Sequence, residues 1–370
     1  QDSAIIELSH AILTRSTAIR SFAEILEQYP DLEQGRRRRY AGIVAAESDR
    51  LGTGIRAMVE LLGSGPGSAA PASPDDEIDD FINYHQSYFP ALEEVADRLR
   101  GQLAGGRLSV SALAERLANF HGVEILHGEG EDPQDGQRLI RIDNTRPEAS
   151  TRFALARHLA NLDFGDLLTD MAADRRFVTS DSAQALCRRA LASYAASALL
   201  FPYDRFLAAA EAVRYDIERL AQQFGGSFEQ IAHRLVTLRR PGAEGIPFAF
   251  LRSDPAGNLS KRFSTLGLRM PRFGGACPLW PLYAAFRSPG RVATQLAIMP
   301  EGERYLMIAR CVAKRVAGYG QPDTLFSIMI GCDAAHAGRI IYGDRYAGER
   351  GATPARFGCR SCSRTHCAER

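Results

Sequence analysis

"RFALARHLANLDF", residues 152–164, is the stretch on which the reading of this chain turns. It lies in a helical pattern that covers residues 150–224 and breaks near Pro202. A helix that gathers a catalytic zinc presents two His four residues apart on one face, with a Glu beside them to activate water. This helix has one His, His158, and no Glu. Peptidase chemistry is therefore not expected, and His158 reads as polar helix surface. No catalytic residue is assigned anywhere in the chain.

Working outward, residues 109–121 read as a further helix, and "VEILHG" and "RLIRIDN" as short strands around a loop. Upstream, Ser73 and Pro74 followed by Asp75, Asp76 and Glu77 make a strong helix start: a capping Ser, Pro in the first turn, and acids near the positive end. Downstream, the pattern changes at Pro247. "PFAFLRSDPAGNLSKRF" is two strand-like runs around a turn, and "RVATQLAIMP", "RYLMIARCVA" and "TLFSIMIGCD" add further strands. The fold class expected is α+β. It divides into a helical hairpin over 1–62, a linker over 63–73 ("GSGPGSAAPAS"), a mostly helical domain over 74–240 and an α+β domain over 241–370.

Composition sets limits on function. The chain has 370 residues, 45% hydrophobic and 24% charged, which suits a soluble globular protein with a sizeable core. Its net charge of +1 gives no overall attraction to nucleic acid. Lys occurs only at Lys261 and Lys314, so a single Arg-rich patch says little; Arg36 to Arg39 read as a solvated helix start. No apolar run reaches the roughly 18 residues of a membrane span, and a signal-peptide pattern is missing, so a cytoplasmic location is expected. The sequence opens in mid-pattern at Gln1 without an initiator Met, which leads us to expect a preceding segment.

Apolar residues at Ile5, Leu8, Ile12, Ile19, Phe22 and Leu26, then at Tyr40, Val44, Leu51, Ile55, Met58 and Leu62, make two amphipathic helices. Two helices alone bury too little, so a homodimer is expected. The first helix, with His10, Ala11, Ile12, Leu13, Thr14, Arg15 and Ser16, resembles the dimerisation and phosphoacceptor hairpin of sensor histidine kinases, whose box is of the His-Glu-Leu-Arg-Thr-Pro-Leu type. Ala11 stands where the acid beside the histidine belongs and Arg15 where the proline belongs, and a Gly-rich nucleotide lid is missing. Dimerisation is expected to persist without phosphotransfer. A histidine-phosphotransfer protein working through His10 is the alternative.

The 7 cysteines are unevenly placed. Cys187 and Cys311, each alone in an apolar helical pattern, are expected in the core. "FGCRSCSRTHC" sets Cys359, Cys362 and Cys367 as C-x2-C-x4-C, in which the two-residue spacer turns a pair of thiolates toward one metal centre. Cys277, in "RFGGACPLW", and Cys332, at the end of "FSIMIGCD", are the candidates for a fourth ligand, and His366 could replace a thiolate. Four thiolates suit zinc or an iron–sulfur cluster. A zinc-stapled interaction module is a third reading.

Residues 152–164 resemble the active-site helix of ImmA/IrrE-type metallopeptidase-like domains, where Phe-x-Leu-Ala precedes His-Glu-x-x-His. That register puts Arg157 and Asn161 at the ligand positions, His158 at the Glu, and Leu191 near the third ligand acid. The whole of 75–370 resembles the short-chain fatty-acyl-CoA regulators, bacterial transcription factors, through "DEIDDFINYHQSYFPALEEVADRL", "PFAFLRSDPAGNLSKRFS", "GGACPLWPLYAAF", "GCRSCSRTHCAER" and the long stretch from "RRALASYAASALLFP" to "LVTLRRPG". The resemblance implies transcription regulation, a short-chain acyl-CoA ligand, an iron–sulfur cluster of the 4Fe–4S type in preference to zinc, and DNA contact through a helix-turn-helix not found in these residues. An acyl-CoA needs an apolar slot and cations for its phosphates. The candidate cations are Arg239, Arg240, Arg252, Lys261 and Arg262, and the candidate walls Tyr194, Phe201, Phe248, Phe250 and Trp280.

Overall fold

The computed structural model describes residues 2–29, 32–63, 74–103, 108–128, 138–142, 146–263, 275–300, 302–315, 323–347, 351–359, 362 and 367. The chain forms two compact units, 1–73 and 74–370. In the first, α1 (Asp2–Gln28) and α2 (Gln34–Gly63) make the expected hairpin, with the Phe22 and Tyr40 rings 5.4 Å apart. Ile12, Ile19, Phe22, Leu26, Tyr40, Val44 and Leu51 are only half-buried within it, and Arg36 to Arg39 are exposed. The side chain of His10 and the linker residues 64–73, Ser73 included, lie outside the described residues.

The second unit opens with α3 (Pro74–Tyr84), α4 (Pro90–Gln102) and α5 (Val110–His121). Ser109 caps α5 by accepting from the Ala112 amide at 3.1 Å. Strands β1 (Glu124–His127) and β2 (Leu139–Ile142) pair in parallel. The helical run is then α6 (Glu148–Asp163), α7 (Gly165–Ala172), α8 (Asp181–Leu200), α9 (Tyr203–Ala212), α10 (Ile217–Phe224) and α11 (Phe228–Val236). A capping box between Ser227 and Gln230 starts α11. Helix α8 is the spine: Ala192, Ala195, Ala196 and Ala198 are buried, and such small residues let α3, α4, α6 and α7 approach it closely. Buried Leu155, Leu159 and Leu199 each contribute roughly 1.5–3 kcal/mol.

Six strands follow: β3 (Ala249–Ser253), β4 (Leu259–Phe263), β5 (Val292–Ile298), β6 (Arg304–Arg315), β7 (Thr324–Asp333) and β8 (Thr353–Pro354), with α12 (Pro281–Ala284) between β4 and β5. They form one sheet in the order β4-β3-β7-β6-β5-β8, antiparallel except where β8 joins β5. Gly257, at φ +88°, supplies the left-handed residue of the β3–β4 turn, and Asp254 accepts from the Asn258 amide at 2.9 Å. Side chains alternate across the sheet. Leu306, Ile308, Ile328, Ile330 and Cys332 join the helical core, whereas Met307, Ala309, Cys311 and Met329 join a second core with Trp280 and Leu282. The helical layer and the sheet thus share one interior.

Two expectations are corrected here. Cys311 is in the core but on strand β6, not a helix. His158 is 1% exposed, because α6 turns that face into the interior.

Candidate functional site

A cavity of about 270 Å³ lies between α3, α8, α11 and β4, the edge strand of the sheet. Ile78, Phe81, Phe89, Leu191, Val236 and Phe263 give it apolar walls. Arg189, Lys261 and Arg262 put positive charge on its lining, and Asp75 and Asp79 put negative charge there. Arg262 donates to Asp79 at 3.1 Å and stands 3.5 Å from Asp76. Burial raises the Asp79 carboxyl to about 6 even though Arg262 pulls it down. Lys261 donates to Glu229 at 3.2 Å, and Arg252 donates to the same oxygen at 3.1 Å.

His233 lines the cavity edge-on to Phe263 and Phe250, with ring centroids 4.8 and 5.8 Å away. Burial, then the charge of Lys261, push its pKa down to about 3. The imidazole is therefore neutral near pH 7, with one nitrogen a donor and the other an acceptor.

A buried polar network underlies the cavity. Tyr194, on its wall, donates to Glu93 at 2.6 Å and accepts from the Phe89 amide at 3.3 Å. Arg234 grips both Glu93 oxygens at 2.6 and 2.9 Å and donates to Thr237 Oγ1 at 3.2 Å and the Phe201 carbonyl at 2.9 Å. Burial disfavours the Glu93 charge, but Arg234 outweighs it and holds the carboxyl below the ordinary range. This pairing locks α4, α8 and α11 together and fixes where Tyr194 stands.

Tyr194, Lys261 and Arg262 are thus brought together at the cavity, and Phe250 backs it through His233. Arg252 sits beside it on Glu229 and over the Phe326 ring. The remaining candidates lie elsewhere. Arg240 donates to Asp204 at 2.7 Å and stacks 4.0 Å from the Tyr203 centroid, and neither it nor Arg239 lines the cavity. Phe248 packs on Tyr215, Phe201 on Phe206, and Trp280 fills the core on the far side of the sheet. Arg189, His233 and Asp79 were not singled out from the sequence. A signal existed in α8: Leu186, Arg189, Ala190, Ser193 and Tyr194 follow the i, i+3, i+4, i+7, i+8 spacing of one face and all line the cavity. At the peptidase register, Asn161 donates to the Arg157 carbonyl at 3.1 Å, as a helix side chain turned back on its own backbone. Leu191 lines the cavity.

Among the cysteines, the parity of β7 separates the two fourth-ligand candidates. Cys332 faces the helical core, whereas Cys277 belongs to the core on the opposite face. Burial also drives the Cys332 thiol far up, away from thiolate. The Tyr283 hydroxyl, within electrostatic reach of both Cys277 and Cys359, accepts from the Ala276 amide at 3.0 Å. The tail runs close over the Cys277 loop: a Cβ on Gly358 would lie 3.2 Å from the Gly275 carbonyl oxygen. The Cys362 amide then donates to the Cys359 carbonyl at 3.2 Å. Among the described residues no group of three or more His, Cys, Asp or Glu side chains is gathered as a metal-holding set, and His366 lies outside them.

Known proteins resemble this chain in sequence and fold. Residues 237–370 match the C-terminal domain model of the short-chain fatty acyl coenzyme A regulators, and residues 113–236 match the IrrE N-terminal-like domain. The HTH-type transcriptional regulator RamB of Mycobacterium tuberculosis (strain ATCC 25618 / H37Rv) is 39% identical over 329 residues, covering 85% of this chain and 68% of that protein. The chain belongs to the short-chain fatty acyl-CoA regulator family. A second relative, the propionyl-CoA carboxylase regulator of Cereibacter sphaeroides, is 37% identical over 317 residues, with the same coverage of 85% and 68%. A solved Mycobacterium tuberculosis transcriptional regulator superposes with a TM-score of 0.74 at 34% identity, covering 81% of this chain and 93% of its own. The two Mycobacterium proteins are named as transcriptional regulators, and in this family member the IrrE-like domain has a helix α6 without the His-Glu-x-x-His spacing. Among the described residues no helix is long and apolar enough to cross a membrane.

Proposed function

We propose that residues 74–370 are the sensor of a cytoplasmic transcriptional regulator of acyl-CoA metabolism and that the cavity beside β4 receives a short-chain acyl-CoA. The observation behind this reading is the combination of an apolar interior with Arg189, Lys261 and Arg262 on its lining. At about 270 Å³ the cavity falls below the roughly 300–1,000 Å³ of sites that enclose a whole drug-sized ligand, so it takes the acyl end and leaves the nucleotide outside. Phe81, Phe89 and Leu191 surround the acyl group. Neutral His233 is a hydrogen-bond partner for a thioester carbonyl, and the cations meet the phosphates. The family resemblance and the name of the Cereibacter relative support the ligand class.

Two further assignments belong to the same reading. DNA recognition falls to a helix-turn-helix outside residues 1–370, and the hairpin of α1 and α2 pairs two copies. Cys277, Cys359, Cys362 and Cys367 are the thiolates we assign to an iron–sulfur group, with Cys277 favoured over Cys332 because it shares the tail's side of the sheet. Once bound, such a group supplies a redox-sensitive cross-link between the tail and the Cys277 loop. What the chain contributes is the Gly275–Gly358 close approach, which holds the two segments together.

The test is a series of thermal melts with acetyl-, propionyl-, butyryl- and palmitoyl-CoA. The melting temperature is expected to climb with ligand concentration for the short thioesters, corresponding to about 2.7 kcal/mol at one hundred times Kd. An unchanged melt with every thioester refutes the proposal. Iron and acid-labile sulfide in anaerobically purified protein test the metal assignment, and one zinc per chain without iron would replace it with the zinc-stapled reading.

A further inference from the structure

Two of the cations at the cavity, Lys261 and Arg262, are already occupied by the chain's own carboxylates, and this points to how the site signals. Arg262 on β4 is held by Asp79 at 3.1 Å and Asp76 at 3.5 Å, both from the first turns of α3. Helix α3 is also the first element of its unit. We propose that Asp76 and Asp79 hold on Arg262 the place that a ligand phosphate takes, so that binding of an acyl-CoA and anchoring of the α3 N-terminus to β4 exclude each other. The inference rests on the cavity being the acyl-CoA site and adds the regulation of that site.

The geometry makes the exchange local. Helix α3 has a second anchor: Glu77 accepts from the Thr179 amide at 2.7 Å and from its hydroxyl at 2.8 Å. Ile78, Phe81 and Ile82 are buried against the rest of the unit. Loss of the Arg262 contact therefore loosens Pro74 to Asp76 and releases the Asp79 side chain, while Glu77 and the apolar face keep α3 docked. A guanidinium bound to carboxylates offers the same fork of donors to a phosphate, which carries more charge and more acceptor oxygens. The burial that raises the Asp79 carboxyl to about 6 marks it as the weaker competitor. The charged groups around Asp79 are Asp75 and Asp76 on its own helix and Arg262 on β4, with Lys261, Arg189 and the neutral His233 also on the cavity lining. Of the cations there, Arg262 is the one held by α3; Lys261 is held by Glu229 of α11.

The experiment is a calorimetric titration of the full chain with propionyl-CoA, with hydrogen exchange followed over 74–84. Four proteins are compared: wild type, Asp76→Asn/Asp79→Asn, Arg262→Ala, and the triple variant. Removing the two carboxylates is expected to tighten binding at least threefold in the wild-type background and to change it less than twofold once Arg262 is gone. In the wild type, propionyl-CoA is expected to speed exchange over 74–80 and leave 81–84 protected. If the Asn pair tightens binding equally with and without Arg262, simple repulsion by the acids explains the gain and the exchange mechanism is overturned. Slower exchange of the α3 N-terminus on binding overturns it as well, even with the affinity intact. Absence of binding by all four proteins overturns the cavity assignment itself.

Discussion

Glu93 and Arg234 form a charge pair sealed from water, with side chains 4% and 0% exposed. Breaking such a pair leaves one uncompensated buried charge, so Glu93→Gln is expected to cost about 3–5 kcal/mol of unfolding free energy in denaturant titrations. Because the native Glu93 carboxyl titrates below its ordinary value, its stabilisation is present above about pH 4.3 and is lost as the pH falls through the native value. His233 acts at higher pH. Its native pKa of about 3 lies below the roughly 6.5 of an unfolded histidine, so the unfolded chain binds the extra proton first. Stability from this group is complete above pH 6.5 and falls on acidification, by about 2 kcal/mol at pH 5. Asp79, with its raised value of about 6, works in the opposite direction over part of that range. The contribution of His233 is therefore read as the difference between wild type and His233→Gln, whose curve should be flatter between pH 7 and 5; parallel curves would contradict the assignment.

At the scale of elements, the sheet sorts the cysteines. Strand β7 alternates strictly, so Cys332 faces the helices and Cys277 shares the tail's side. Cys277→Ser is expected to lose most bound iron, and Cys332→Ser to retain it, when iron is assayed in anaerobic preparations. The reverse order would exclude Cys277 as the fourth ligand. The turn of 3-10 helix over Ile341–Tyr346 gives a structural prediction: Gly343 packs directly on the backbone of Ala337, leaving no room for a Cβ. Gly343→Ala is expected to destabilise the protein by about 1–3 kcal/mol, measured by the denaturation midpoint.

Legibility in the sequence followed the range of the interactions. Strands β3 to β7 could be read because their signals are local: apolar alternation, and an Asp-Pro-Ala-Gly-Asn turn in which Gly257 takes a positive φ. That β1 and β2 run parallel could not, since pairing direction depends on how the intervening chain crosses over. The cavity draws on α3, α8, α11 and β4, scattered from Asp75 to Phe263. Tyr194, Lys261 and Arg262, expected by residue type, line it; Phe248 and Trp280 were equally apolar by type, but they sit in the core. His158 was misjudged because one buried histidine on a helix face looks the same in sequence as an exposed one.

For the whole molecule, the two units make different contributions. Residues 74–370 share one interior across helices and sheet, whereas none of the described side chains of the hairpin is fully buried. On the proposed reading, a hairpin this open completes its core by pairing with a second copy. Light scattering is expected to give a dimer for the full chain and a monomer for residues 74–370, with the shorter chain keeping its ligand affinity. A monomeric full chain would remove the dimer from the account.

If a short acyl-CoA occupies the cavity beside β4, filling that cavity must exclude it. Ala190 of α8 lines the space and is half-buried, so Ala190→Phe projects a ring into it. Propionyl-CoA should bind the wild-type protein with one site per chain by calorimetry and should fail to bind Ala190→Phe, whose melting temperature without ligand stays close to wild type. Equal affinity in a folded Ala190→Phe protein would place the ligand elsewhere.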